Sequence, residues 1–172
     1  MKVLLTAPYE NERALEELKT LFQEIIYKPW KPNGRAYNAQ ELSELLKQTG
    51  AEGLIVEHDE ITAEVLKNHP NLAFVGICRG TPSNIDLTMA TELGIPVFNT
   101  PARNAQAVAE MFIANVITVL RHTISGVEWL EGKNWGEGAH TSYLNFKGNE
   151  LAGKKVGMVG FGAVGQYIAR ML

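Results

Sequence analysis

Three glycines near the end of the chain, Gly160, Gly162 and Gly165, have a spacing suited to holding a phosphate. A short apolar run, residues 156–159, leads into Gly160-Phe161-Gly162-Ala163-Val164-Gly165, and a helix-like sequence follows. Strand, glycine turn and helix in that order open a dinucleotide-binding βαβ unit. Gly160 permits the tight turn, Gly162 lets the backbone approach a pyrophosphate, and Gly165 lets the helix pack close to the strand. The N–H groups at the helix start, those of Ala163 and Val164 among them, face the phosphate with the helix dipole behind them. The sequence stops at Leu172, before the second strand of such a unit.

Other residues of chemical interest are scattered. Arg79, Gly80 and Thr81 follow an apolar strand, where a loop residue is either solvated or placed to meet a ligand. Cys78 reads as a small buried hydrophobe, since no neighbour in the sequence would lower its pKa. Glu57, His58 and Asp59 superficially resemble a metal cluster, but adjacent strand residues point to opposite faces, so they read as a solvated loop and no metal site is expected. Asn104 opens a long apolar segment and suits a helix cap.

The elements that position these residues alternate. Strands are expected at 3–5, 24–27, 53–57, 72–78 and 95–99, separated by helices at 11–22, 38–47, 62–67 and 84–93. Asn11 caps the first helix, and Asn38 with Glu41 has capping-box spacing. Residues 73–78 show no polar alternation, which suits a parallel strand covered on both faces. This alternation and right-handed crossovers predict an α/β fold, a flavodoxin-like doubly wound parallel sheet. From Asn104 the character changes: a helix to about Arg121 is apolar nearly all round, which predicts burial between layers or subunits. Residues 125–151, with Trp129, Trp135 and Tyr143, read as a short helix and an extended connector that packs on something.

Bulk properties narrow the function. A net charge of −3 without a Lys or Arg run argues against nucleic acid as a partner. The single cysteine excludes an internal disulfide and fits a reducing compartment, so a cytoplasmic setting is expected. The N-terminus is too soon interrupted for a signal peptide. The longest apolar region carries Gln106, Glu110 and Asn115, so no membrane span is expected.

Four motifs in order, Cys78-Arg79-Gly80-Thr81-Pro82-Ser83-Asn84-Ile85-Asp86-Leu87, Gly94-Ile95-Pro96-Val97-Phe98-Asn99-Thr100-Pro101, Asn104 with Ala107-Val108-Ala109-Glu110, and Glu150-Leu151-Ala152-Gly153-Lys154 before the glycines, resemble the D-isomer-specific 2-hydroxyacid dehydrogenases, the family that includes D-3-phosphoglycerate dehydrogenase. The match is detailed over the last hundred or so residues and rests on layout before them. The resemblance implies a substrate domain at 1–101. It implies that 102–172 supplies the long helix, connector and first β-turn-α of an incomplete Rossmann NAD-binding domain. In such enzymes the substrate and nicotinamide meet between the domains, and the subunits dimerise through the cofactor domain; here that implies a homodimer through the helix 104–121 and the connector.

Carried over by position, Arg79, Gly80 and Thr81 would meet the substrate carboxylate, and Asn104 would contact substrate or hold that wall. Val108 would lie near the nicotinamide, with Gly160, Gly162, Ala163, Val164 and Gly165 at the pyrophosphate of NAD. The family's catalytic Arg, Glu and His lie well past the glycine motif, so His58, His69, His122 and His140 are given no catalytic role. The acidic loop at 57–60 argues against a phosphorylated acid as substrate. The expected parent is an NAD-dependent oxidoreductase interconverting a small D-2-hydroxy acid and a 2-keto acid by hydride transfer, with this chain inactive alone. A non-catalytic module binding a small molecule or a partner is the alternative.

Overall fold

The computed structural model describes residues 1–172, the side chains of Glu137 and Ala139 excepted. The chain divides into two compact units, Met1–Pro101 and Ala102–Leu172. The first contains β1 (Lys2–Leu5), α1 (Glu12–Leu21), β2 (Glu24–Tyr27), α2 (Ala39–Thr49), β3 (Gly53–Val56), α3 (Ala63–Asn68), β4 (Phe74–Ile77), α4 (Leu87–Glu92) and β5 (Val97–Asn99). All five strands are parallel, in the order β2-β1-β3-β4-β5. This is the flavodoxin-like order, with its switch point between β1 and β3.

The register explains the core. Ile26, Leu4, Leu54, Val75 and Val97 are neighbours across the sheet and share one face. Against them pack Leu42 and Leu46 of α2, Val65 and Leu66 of α3, and Ala90 of α4, all buried. Each fully buried Leu or Val contributes roughly 1.5–3 kcal/mol relative to exposure. On the other face Val3 and Leu5 are buried, and Phe74 lies across Gly53, where a Cβ would come 2.6 Å from the ring. Phe74 also stacks on Phe22 at 5.7 Å.

The caps form where the sequence places them. Asn11 accepts from the Ala14 N–H, and Asn38 and Glu41 complete a reciprocal capping box. Helix α4 is shorter than expected, because Asp86 rather than Asn84 caps it. The Asn84 side chain is committed to Asp59 instead.

The second unit contains α5 (Ala105–Leu120), α6 (Thr123–Glu131), a 3-10 turn (Asn134–Glu137), α7 (Ala139–Asn145) and α8 (Ala163–Met171). Two expectations fail in it, the strand at 156–159 and the extended connector. Within the unit α5 buries only Ala105 and Ala109, and leaves the apolar residues Val108, Met111, Ile117 and Val119 exposed. Its packing within the unit is chiefly on α8, which covers one stripe. Residues 156–159 form no strand, because none of the described strands offers them a ladder; Val159 is fully exposed. The connector is helical rather than extended, folded around Trp129, whose ring meets Trp135 at 6.0 Å and Phe146 at 5.8 Å. Among the described residues no single helix is long and apolar enough to cross a membrane; α5 and α6 together are bent by 61°.

Candidate functional site

In a doubly wound sheet the ligand crevice lies beyond the carboxyl ends of the strands. Here the loops leaving β1, β3, β4 and β5 are laced together at that edge. The centre of the lacing is Asp59, which is fully buried. Its carboxylate accepts from Thr6 Oγ1 at 2.6 Å and from the Tyr37 N–H at 2.8 Å. Its backbone carbonyl accepts from Asn84 Nδ2 at 2.8 Å. Three loops therefore meet on one acid, and the expectation of a solvated loop at residues 57–59 is wrong for Asp59. A buried carboxylate persists only when hydrogen-bonded, and these donors meet that requirement. Glu57 and His58 take no part in a metal cluster; among the described residues no group of three possible ligands forms one.

The loop after β4 has an asymmetric hydrogen-bond pattern. The Arg79 carbonyl accepts from the Thr100 N–H at 3.0 Å, Gly80 O from Asn99 Nδ2 at 2.8 Å, and Thr81 O from the Ser83 N–H at 2.9 Å. The N–H groups of Gly80 and Thr81 have no acceptor among the described residues, and both residues are exposed. A loop that turns its bonded carbonyls inward and its open donors outward has the polarity suited to an anion. Arg79, half-buried, adds a positive charge with no ion pair among the described residues. Cys78 is half-buried rather than buried. Nearby, burial foremost and then Cys78 push the Tyr9 phenol above its ordinary pKa, so it stays neutral at physiological pH.

In the second unit the glycine turn has the form needed at a phosphate. Gly160 has φ +87°, a conformation that favours glycine. A Cβ on Gly165 would sit 2.8 Å from Met158 Sδ and 3.3 Å from Gly160 O, so the close approach of helix and turn favours glycine there. At Gly162 a Cβ would meet nothing within 4 Å, leaving open space in front of the helix start. The Gln166 N–H makes the first intrahelical bond, to Gly162 O at 3.0 Å, so the N–H groups of Ala163, Val164 and Gly165 lack helical acceptors. These residues fit a pyrophosphate.

Asn104 stands at the cap position of α5 but its side chain makes no capping bond, since its backbone (φ −112°, ψ 12°) is not the extended form a side-chain cap needs. That half of the expectation is corrected, and the side chain is left uncommitted. Val108 is one turn on, 42% exposed. Helix α5 packs on α8, so Asn104 and Val108 share a scaffold with the glycine turn.

A groove of about 1190 Å³ lies between α2 and α3 and is lined by Ser43 and His69 among others. His69 Nε2 is 3.0 Å from Ser43 Oγ and 3.1 Å from Ser43 O. The carbonyl can only accept, so Nε2 carries hydrogen and cannot take the serine proton. Burial also lowers the His69 pKa. This pair ties α2 to the α3–β4 loop and is no nucleophile. Sequence reasoning missed the roles of three residues at the strand edge: Thr6 carried no signal, Asp59 only that of an acid beside an apolar strand, and Asn99 stood inside a motif that did not reveal its contact with Gly80.

The family model described as D-isomer specific 2-hydroxyacid dehydrogenase, catalytic domain, matches residues 3–161. The chain belongs to the D-isomer-specific 2-hydroxyacid dehydrogenases. Among curated relatives it is 56% identical over 172 residues to YoaD of Bacillus subtilis (strain 168), whose name assigns it provisionally to the 2-hydroxyacid dehydrogenases; the match covers all of this chain and 50% of that protein. It is 33% identical over 163 residues to a glyoxylate reductase of Pyrococcus furiosus, covering 92% of this chain and 47% of that one. Among solved structures, the PH0520 protein of Pyrococcus horikoshii aligns over 99% of this chain and 48% of its own, with TM-score 0.72 and 31% identity. The chain thus spans about half the length of the dehydrogenase relatives it matches.

Proposed function

We propose that this chain supplies the substrate domain and the opening of the cofactor domain of an NAD-dependent dehydrogenase that interconverts a small D-2-hydroxy acid and its 2-keto acid. The observation that carries the reading is the loop after β4, in which the Arg79, Gly80 and Thr81 carbonyls are bonded and the Gly80 and Thr81 N–H groups are open. It suits a carboxylate, the group that every 2-hydroxy and 2-keto acid presents. The names of relatives, a glyoxylate reductase and a hydroxypyruvate reductase among them, support a small acid of that class.

In this reading Gly80 and Thr81 hold the carboxylate by charge-assisted hydrogen bonds and Arg79 adds a favourable field. Asn104 borders the substrate and Val108 the nicotinamide. The N–H groups of Ala163 and Val164 hold the pyrophosphate, with Gly160, Gly162 and Gly165 shaping the turn. Bound NAD supplies the site with its hydride acceptor or donor. None of His58, His69, His122 and His140 transfers the proton; that work belongs to residues outside this chain. The protein is a cytoplasmic homodimer joined through the α5 surface, where Met111, Ile117 and Val119 are exposed.

The test compares the full-length protein with residues 1–172. The full-length protein should oxidise NADH in the presence of glyoxylate, hydroxypyruvate or pyruvate. The 172-residue chain should show no turnover, and should not quench NADH fluorescence saturably at micromolar cofactor, because one glycine turn supplies only the pyrophosphate contacts. Inactivity of the full-length protein with every 2-keto acid in the panel sinks the assignment. Turnover by the short chain sinks the claim that it is incomplete.

A further inference from the structure

We propose that Asn99, at the end of β5, is a positioning residue that sets the direction of the carboxylate-binding N–H groups and thereby the affinity for the acid. This rests on the reading of the Arg79–Ser83 loop as the carboxylate receptor.

The argument is one of peptide geometry. In a trans peptide the C=O and the following N–H point in opposite directions, and the described residues contain no cis bond. The peptide joining Arg79 to Gly80 has its carbonyl held by the Thr100 N–H at 3.0 Å, so the Gly80 N–H points away from Thr100. The next peptide, Gly80 to Thr81, has its carbonyl held by Asn99 Nδ2 at 2.8 Å, so the Thr81 N–H points away from Asn99. Two consecutive residues of β5's end therefore aim two consecutive donors to the same side of the loop. Thr100 does this with its backbone, which any residue but proline provides. Asn99 does it with its side chain, so this half of the aiming depends on residue type.

Other fixings of this peptide are absent among the described residues. Gly80 has no side chain to lock it, and Pro82, two residues on, has no N–H to offer. The Ser83 N–H is spent on Thr81 O. Without the Asn99 amide, the Gly80–Thr81 peptide is free to rotate about its flanking bonds, and glycine tolerates nearly any such rotation. The cost would fall on acid binding, with the chemical step unaffected, since the carboxylate is bound equally in ground and transition states.

The test uses the full-length protein with glyoxylate and NADH. Asn99→Ala should raise KM for glyoxylate about three- to tenfold, the range of one hydrogen bond, and leave kcat and KM for NADH within twofold. Asn99→Asp has the same size but no donor, and sets a carboxylate against the Gly80 carbonyl; it should raise KM for glyoxylate further. Should the alanine variant fail to fold, the aspartate variant carries the same test. An unchanged KM for glyoxylate in either folded variant overturns the inference, as does an equal loss in KM for NADH, which marks a general structural role. A wild-type protein inert towards all 2-keto acids fails the functional reading itself and is told apart by the wild-type assay.

Discussion

Thr6 Oγ1 donates to the Asp59 carboxylate at 2.6 Å, and both residues are fully excluded from solvent. The bond joins the ends of β1 and β3, the two strands flanking the switch point of the sheet. The other carboxylate oxygen takes the Tyr37 N–H ahead of α2. One acid thus sets the relative positions of the loops that border the candidate site.

The first prediction concerns that acid. Asp59→Ala removes the acceptor of the half-buried Tyr37 N–H and the nearer of the two acceptors of Thr6 Oγ1, whose other, Ile55 O, lies at 3.4 Å, and each group left poorly paired costs about 1–3 kcal/mol. We expect a loss of about 3 kcal/mol in urea unfolding, and a smaller loss of about 1–2 kcal/mol for Thr6→Val. A loss under about 0.5 kcal/mol for Asp59→Ala would show that the loops hold together by other means.

A second prediction concerns pH. The Arg35 guanidinium foremost, and then the Asn38 N–H, hold the Glu41 carboxyl at about 2, below its ordinary 4.5. A depressed acid stabilises the folded state above its unfolded pKa, and that contribution is lost as pH falls through the folded value. The Tm difference between wild type and Glu41→Gln should therefore be present at pH 7 and shrink between about pH 4.5 and 2. Since Arg35 and Glu41 lie at the surface, 1 M salt should reduce that difference at pH 7. A difference that does not vary with pH would refute the link.

The third prediction concerns the end of α5. A Cβ on Gly148 would collide with the Leu120 carbonyl and lie 2.9 Å from Arg121 Cα, both backbone atoms that cannot swing aside. Next to it, the Asn149 N–H bonds Leu120 O at 2.8 Å. Gly148→Ala should cost about 1–3 kcal/mol and speed proteolysis of the connector. Wild-type thermal stability in this variant would mean that the close approach is dispensable.

A fourth prediction separates fold from cofactor at the glycine turn. A Cβ at Gly162 would meet nothing within 4 Å and its backbone φ of −76° suits any residue, so Gly162→Val should leave Tm nearly unchanged. It would, however, fill the space before the free N–H groups of α8. In the full-length protein NADH should bind at least about tenfold more weakly, a loss of ~1.4 kcal/mol. Unaltered NADH titration in this variant would remove the turn from the cofactor site.

Much of this molecule was legible in the sequence, and the reasons are local. Asn38 and Glu41 announced a capping box because the motif closes within four residues. The apolar runs announced the strands, and their alternation with helices admitted few topologies. Gly160 and Gly165 announced a turn and a close approach because those demands act on their own backbone. The candidate loop Arg79–Thr81 was legible by its motif, but not the way it is held.

Where the sequence misled, the missing information was a partner distant in the chain. Residues 156–159 have strand composition, yet a strand needs a ladder, and none of the described strands pairs with them. Asp59 has the composition of a solvated loop, yet Thr6, Tyr37 and Asn84 lie 53, 22 and 25 residues away and converge on it. The sequence by itself determined the alternation of elements, the caps of α1 and α2 and the glycine turn, since these depend on periodicity and nearest neighbours. Only the tertiary structure decided which carbonyls of the Arg79–Ser83 loop are occupied and which donors stay open, because Asn99 and Thr100 reach it only once β4 and β5 pair in register.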